Sequence, residues 1–102
     1  MEIVKLEKHP GYGITRDAKC VNLKTGRVLK QRFYKGKMIA SAGGDKVSIN
    51  RAVAEAFIEN PLNYCYVLHK DGNKQRNDVE NLYWSKSNRV EFRRKVDPSL
   101  LP

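Results

Sequence analysis

The chain lacks any long apolar run. Nothing in its 102 residues approaches the roughly 18 that a membrane-spanning helix needs, so no membrane partner is expected. Its opening, Met1 to Pro10, lacks the basic start and apolar centre of a secretory leader. Cysteine is scarce: Cys20 and Cys65 stand apart, with no C-x-x-C pair. Without a leader they read as reduced thiols of a cytoplasmic protein, buried as small apolar side chains. Acid is scarce too, with 11 Asp and Glu against 20 Lys and Arg and a net charge of +9. An excess of that size in so short a chain points to a polyanion. Nucleic acid comes first; an anionic membrane surface, the second candidate, is set aside for want of that apolar run. There is no internal repeat and no low-complexity segment. The length suits a single domain, 1–102, with a modest core.

The scarcity of acid is sharpest between residues 24 and 37. Lys24, Arg27, Lys30, Arg32, Lys35 and Lys37 fall there with no Asp or Glu between them, and Phe33 and Tyr34 interrupt the run. A solvated sheet edge also carries lysine. Complete absence of interleaved acid favours a β-ribbon laid along a phosphate backbone.

What is present in the first half, residues 1–48, is a series of short β signals. Ile3, Val4 and Leu6 suggest a strand ended by His9-Pro10-Gly11, with His9 a surface turn residue and not a ligand. Tyr12 to Leu23 alternates loosely around a turn at Asp17-Ala18. Thr25-Gly26 makes another turn before a short strand at Val28-Leu29. Tyr34-Lys35-Gly36-Lys37 predicts a tight hairpin between Gln31–Tyr34 and Met38–Ser41, with Gly36 at positive φ. Ala42 to Asp45 turns the chain into Lys46–Ser48. Residues 49–59 then read as a helix. Ser48 or Asn50 can cap it, Ile49, Val53, Ala56 and Phe57 make one apolar stripe, and Asn60-Pro61 ends it.

Tyr66 to Phe92 organises the rest. A short apolar strand ends at His69, and a polar loop runs from Lys70 to Glu80. A second strand, Leu82 to Trp84, and a basic helical stretch follow. Asp71-Gly72-Asn73 gives the loop its turn chemistry, and Asn81 stands at its closing end. Tyr83 and Trp84 read as core packing.

The order H-x-D-G-N, N-D-V-x-N-L and a following Trp resembles the HNH endonucleases of phages and mobile introns. S-I-N-R-A-V-A-E-A-F-I-E-N-P is similar to the helix that precedes the active hairpin in that family, although Asn50 stands where His is usual. The resemblance covers roughly residues 12 to 92. It implies a ββα-metal module at 64–96, with His69 as general base and Asn81 as the residue that structures the loop. It also implies one divalent cation, Mg²⁺ or Mn²⁺, for an active site. Two oxygen ligands are expected, one just before the histidine and one nine residues after the central asparagine. Those places hold Leu68 and Val90, and Asn88 is the nearest amide on the last helix. Hydrocarbon side chains cannot coordinate a hard cation.

The fold class expected is therefore α+β: a β-rich first part, a packing helix, the HNH-like module and a flexible tail at 97–102. The expected function is binding of double-stranded DNA through an HNH scaffold whose cleavage is weak or lost, encoded by a phage or mobile element in a bacterial host. The contacts would be the six basic residues of 24–37 together with Lys70, Lys74, Arg76, Lys86, Arg89, Arg93 and Arg94. An active nicking endonuclease based on His69, and an effector that binds a host protein, are the alternatives.

Overall fold

The computed structural model describes residues 2–86. Asn88, Arg89, Val90, Arg93, Arg94 and the 97–102 tail lie outside them. Among the described residues, short antiparallel strands surround one helix, an α+β arrangement.

Strands β1 (Ile3–Lys5), β2 (Tyr12–Thr15) and β3 (Cys20–Asn22) form the first sheet in that order. The turn at Asp17-Ala18 is present, with Ala18 at φ 70°. Thr15 closes it: its hydroxyl donates to the Asp17 carboxylate and accepts from the Lys19 N–H. Gly13 is required where it stands. A Cβ there would come within 2.5 Å of Ile3 Cγ2, so only glycine lets β1 lie this close. His9, in the turn before β2, places Nε2 3.2 Å from the Asp45 carboxylate.

Val28-Leu29 does not become the expected strand. It makes one bridge, Val21 to Val28, and one bond from the Leu29 N–H to the Cys20 carbonyl. Val28 is 53% exposed, so no apolar face holds a longer ladder there. The basic segment is accordingly a ribbon only from Gln31 onward. Lys24, Arg27 and Lys30 sit on a turn and a linker.

The second sheet runs β4 (Gln31–Tyr34), β5 (Lys37–Ala42), β6 (Asp45–Ser48). Its first hairpin turns on two residues, Lys35 at φ 50° and Gly36 at φ 84°. This geometry follows the twist of the flanking strands. The sequence marks Gly36 for it, and Lys35 shares the strain.

Helix α1 (Ile49–Phe57) follows β6 without a break. Of the two expected caps, Asn50 takes a backbone donor: its Oδ1 accepts from the Arg51 N–H. Ser48 occupies the cap position but gives its hydroxyl to the same Asn50 oxygen. Ile49 and Val53 are fully buried and share a core with Ile14, Cys20, Ala40, Ala42, Val47, Ala52 and Leu82. Each fully buried Val, Ile or Leu contributes about 1.5–3 kcal/mol. Ala56 and Phe57 pack on its margin. Ile58 is extended and ends the helix. Asn60 then brackets the backbone of Tyr64, accepting from its N–H and donating to its carbonyl.

Strands β7 (Tyr66–His69) and β8 (Leu82–Ser85) pair antiparallel, with His69 opposite Leu82. A 3-10 turn at Val79–Asn81, not expected from sequence, delivers the chain into β8. Trp84 is half-buried outside the main core cluster, its Nε1–H donating to the Ile58 carbonyl at 3.0 Å. Cys20 is buried, and burial pushes its thiol up. Cys65 is exposed, against the expectation for both thiols. It lies in the loop before β7, whose backbone is tied to α1 through Arg51 and the Cys65 carbonyl, and that leaves its side chain outside. Among the described residues no helix is long and apolar enough to cross a membrane.

Candidate functional site

The site sits where β7 becomes the polar loop. Strand alternation and register decide what each residue faces. Leu68 lies opposite Tyr83 and His69 opposite Leu82, so consecutive residues Leu68 and His69 point to opposite faces of the hairpin. His69 is turned inward and only 9% exposed.

Two asparagines build the loop around it. Asn81 is 2% exposed and spends its whole side chain on the loop. Its Oδ1 accepts from the Asp71 N–H at 3.2 Å, and its Nδ2 donates to the Asp71 carboxylate at 2.9 Å and the Arg76 carbonyl at 2.8 Å. Its backbone carbonyl accepts from the Lys70 N–H at 2.7 Å. These bonds tie Asn81 to the start and the middle of the loop. The second asparagine, Asn77, opens the N-D-V-x-N-L stretch but was given no role in the sequence. It is 4% exposed and places Oδ1 2.6 Å from His69 Nε2, while its Nδ2 donates to the Lys74 carbonyl. Its place in that stretch names no partner, and only the closed loop reveals the contact.

The loop is also held to the first sheet. The Val79 N–H donates to the Arg16 carbonyl at 2.9 Å. A cleft of about 420 Å³ lies beside this tether, lined by Asp17, Leu29 and Gln31 on one side and Arg76, Asn77 and Asp78 on the other.

The charges of the loop are largely spent inside it. Asp71 accepts from the Asn73 N–H, from Asn81 and from Arg76. Those bonds, the Asn73 backbone bond foremost, hold its carboxyl below the usual carboxylate value. Arg76 lies 3.0 Å from Asp78 and 3.3 Å from Asp71, so two carboxylates already share its charge.

A hard divalent ion needs oxygen donors. Leu68 offers hydrocarbon, and the two oxygens of Asp71 are occupied by donors. Among the described residues no three His, Cys, Asp or Glu cluster. These residues do not fit such an ion. Asn88, the expected helix ligand, lies outside the described residues, as do Arg89, Arg93 and Arg94.

The other basic residues expected to contact DNA fall, among the described residues, in two places. Lys70, Lys74 and Lys86 are exposed on or beside the site hairpin. Lys24, Arg27, Lys30, Arg32, Lys35 and Lys37 are exposed on the linker and the second sheet. Arg32, Lys35 and Lys46 surround the Tyr34 ring, at 5.4, 5.4 and 5.2 Å from its centroid. Lys46 joins this group through the β5–β6 register and was missed in the sequence because it lies outside the acid-free run. Phe33, on the opposite face of β4, is 49% exposed.

No family model matches the chain. An uncharacterized HNH endonuclease of Acanthamoeba polyphaga mimivirus is 39% identical over 84 residues, covering 78% of this chain and 26% of the viral protein. A second HNH endonuclease of the same virus is 34% identical over 86 residues, covering 78% and 22%. The structure of the HNH homing endonuclease I-HmuI, described for its DNA binding and cleavage, matches with a TM-score of 0.76 at 27% identity. That match covers 97% of this chain and 60% of I-HmuI. The chain thus spans about a quarter of the length of the curated relatives it matches. Sequence and fold agree over the stretch they share, and in that stretch the relatives named HNH endonucleases and the match to I-HmuI together support an HNH homing endonuclease family.

Proposed function

We propose that this chain binds double-stranded DNA through its HNH scaffold, with cleavage weak or lost. One observation carries the binding: Arg32, Lys35 and Lys46 converge on Tyr34 at the end of an acid-free run. Such a cluster suits phosphates, which give affinity without sequence information. Loss of cleavage is supported by Leu68 in the place of an oxygen ligand. The test is duplex binding by fluorescence anisotropy across a salt series. If about five phosphates are neutralised, log K falls against log salt with a slope of roughly −4 to −5. Salt-independent affinity, or no binding at low salt, overturns the reading.

A second reading, an active metal-dependent nicking enzyme, is favoured by one feature, the buried and oriented His69. Supercoiled plasmid incubated with Mg²⁺ or Mn²⁺ separates the two. Nicking that disappears in His69→Ala supports the second reading.

A further inference from the structure

The cleft beside the Val79–Arg16 tether has two walls of different origin. Val28, Leu29 and Gln31 come from the linker and the start of β4, and Gln75, Arg76 and Asn77 come from the site loop. The charges that line it are matched within the protein. Arg76 is held by Asp71 and Asp78, and Asp17 lies 3.9 Å from Lys19. What remains for a ligand is amide and hydrocarbon. The rim differs. Arg27, Lys30 and Lys74 stand in the chain beside the lining residues Val28, Gln31 and Gln75. All three are exposed, and none makes an ion pair among the described residues. The three amides are not equally available. Asn77 is committed to His69 and to the Lys74 carbonyl. Gln31 gives its Nε2–H to the Ala18 carbonyl at 2.6 Å. Gln75 is exposed, its backbone N–H is fixed on Asn73 Oδ1 at 2.9 Å, and its side chain makes no hydrogen bond among the described residues. Gln75 alone therefore presents both a donor and an acceptor.

We infer that Gln75 is a specificity-determining residue: it reads the edge of one adenine in the major groove while Arg27, Lys30 and Lys74 hold the phosphates around it. The inference rests on the duplex-binding reading above. A glutamine amide matches adenine with two bonds, accepting from the N6 amino group and donating to N7. Val28, apolar and exposed, suits the methyl group of the paired thymine. Charge neutrality is what makes the cleft selective. Phosphates are the same at every step of a duplex, so the basic rim adds affinity without sequence information. A neutral amide gains only where the edge complements it, and a wrong base leaves its donor or acceptor unmatched.

The test is selection of preferred duplexes from a randomised library by the full chain, followed by anisotropy on the selected duplex and on single-base changes of it. The wild type should select a sequence with A·T at one position that Gln75 governs. Gln75→Ala should lose the preference at that position alone, a loss of roughly 5- to 150-fold in discrimination. Its affinity for unselected duplexes and its salt slope should stay as in the wild type. Gln75→Glu should change the preferred base there from adenine to cytosine, because a carboxylate only accepts and so pairs with the cytosine amino group. A residue that merely shaped the loop would not change the identity of one base. Lys74→Ala supplies the contrast, weakening all duplexes alike. The Gln75 side chain has no bond to lose, so both of its variants should fold. A wild type without sequence preference, or the same preferred base in both Gln75 variants, overturns the inference and leaves duplex binding standing. No binding to any duplex at low salt overturns both.

Discussion

Asn81 holds both ends of the site loop at once, and its removal leaves the Arg76 carbonyl and the Asp71 N–H without their partner. Asn81→Ala should cost about 1–3 kcal/mol, the usual penalty for stranded buried polar groups. Urea unfolding checks it, as a lower midpoint with an unchanged slope. Asp71 adds a pH dependence. Its carboxyl is held below its ordinary value of 3.8, so its stabilising contribution is complete above that value. It is lost as pH falls through the lower folded value, because protonation ends the contacts with Asn73, Asn81 and Arg76. Acid unfolding of Asp71→Asn should show less of this dependence than the wild type. Leu68 offers a gain-of-function test. Calorimetric titration of the wild type with Mn²⁺ should show no saturable site, and Leu68→Asp with Val90→Asn should create one. At this scale the sequence was partly legible. His69 and Asn81 stand in a recognisable order, whereas Asn77 and Lys46 acquire their roles through loop closure and strand register. Cys65 misled because thiols are buried on average, while its own burial depends on which way a loop turns.

The β4–β5 hairpin is the element on which the binding proposal most depends. Its two-residue turn requires positive φ at both Lys35 and Gly36. A Cβ at Gly36 would meet nothing within 4 Å, so Gly36→Ala tests backbone strain alone. It should destabilise the protein by about 1 kcal/mol, roughly 4–8 °C in Tm for a chain of this size. Arg32→Ala and Lys35→Ala should each flatten the salt dependence of DNA binding by about one unit of slope, on any duplex sequence. Elements were more legible than single side chains. Period-two alternation and paired turn residues give β2, β4, β5 and β6, and the apolar stripe gives α1. Val28-Leu29 failed because a short apolar pair says nothing about whether a neighbouring face exists to cover it. The 3-10 turn at Val79–Asn81 has too few residues to show any period.

Across the whole molecule, the core forms where α1 meets β2, β5 and β8, so one helix joins all three sheets. The architecture was legible chiefly through its resemblance to the HNH family, since composition alone reads no further than a small basic α+β protein. The net charge of +9 is unevenly spread over this frame. The site loop, residues 70–80, has Lys70, Lys74 and Arg76 against Asp71, Asp78 and Glu80, and so carries no net charge. Segment 24–37 carries six positive charges and no negative ones. Encounter and retention should therefore be governed by different parts of the protein. A duplex should be captured at a distance by the hairpin and its linker, at a rate that falls steeply with salt. The neutral loop would add little to that approach and would act only after contact. In stopped-flow measurements, charge removal at Arg32 and Lys35 should lower the association rate constant, whereas Asn81→Ala should leave it nearly unchanged and shorten the lifetime of the complex.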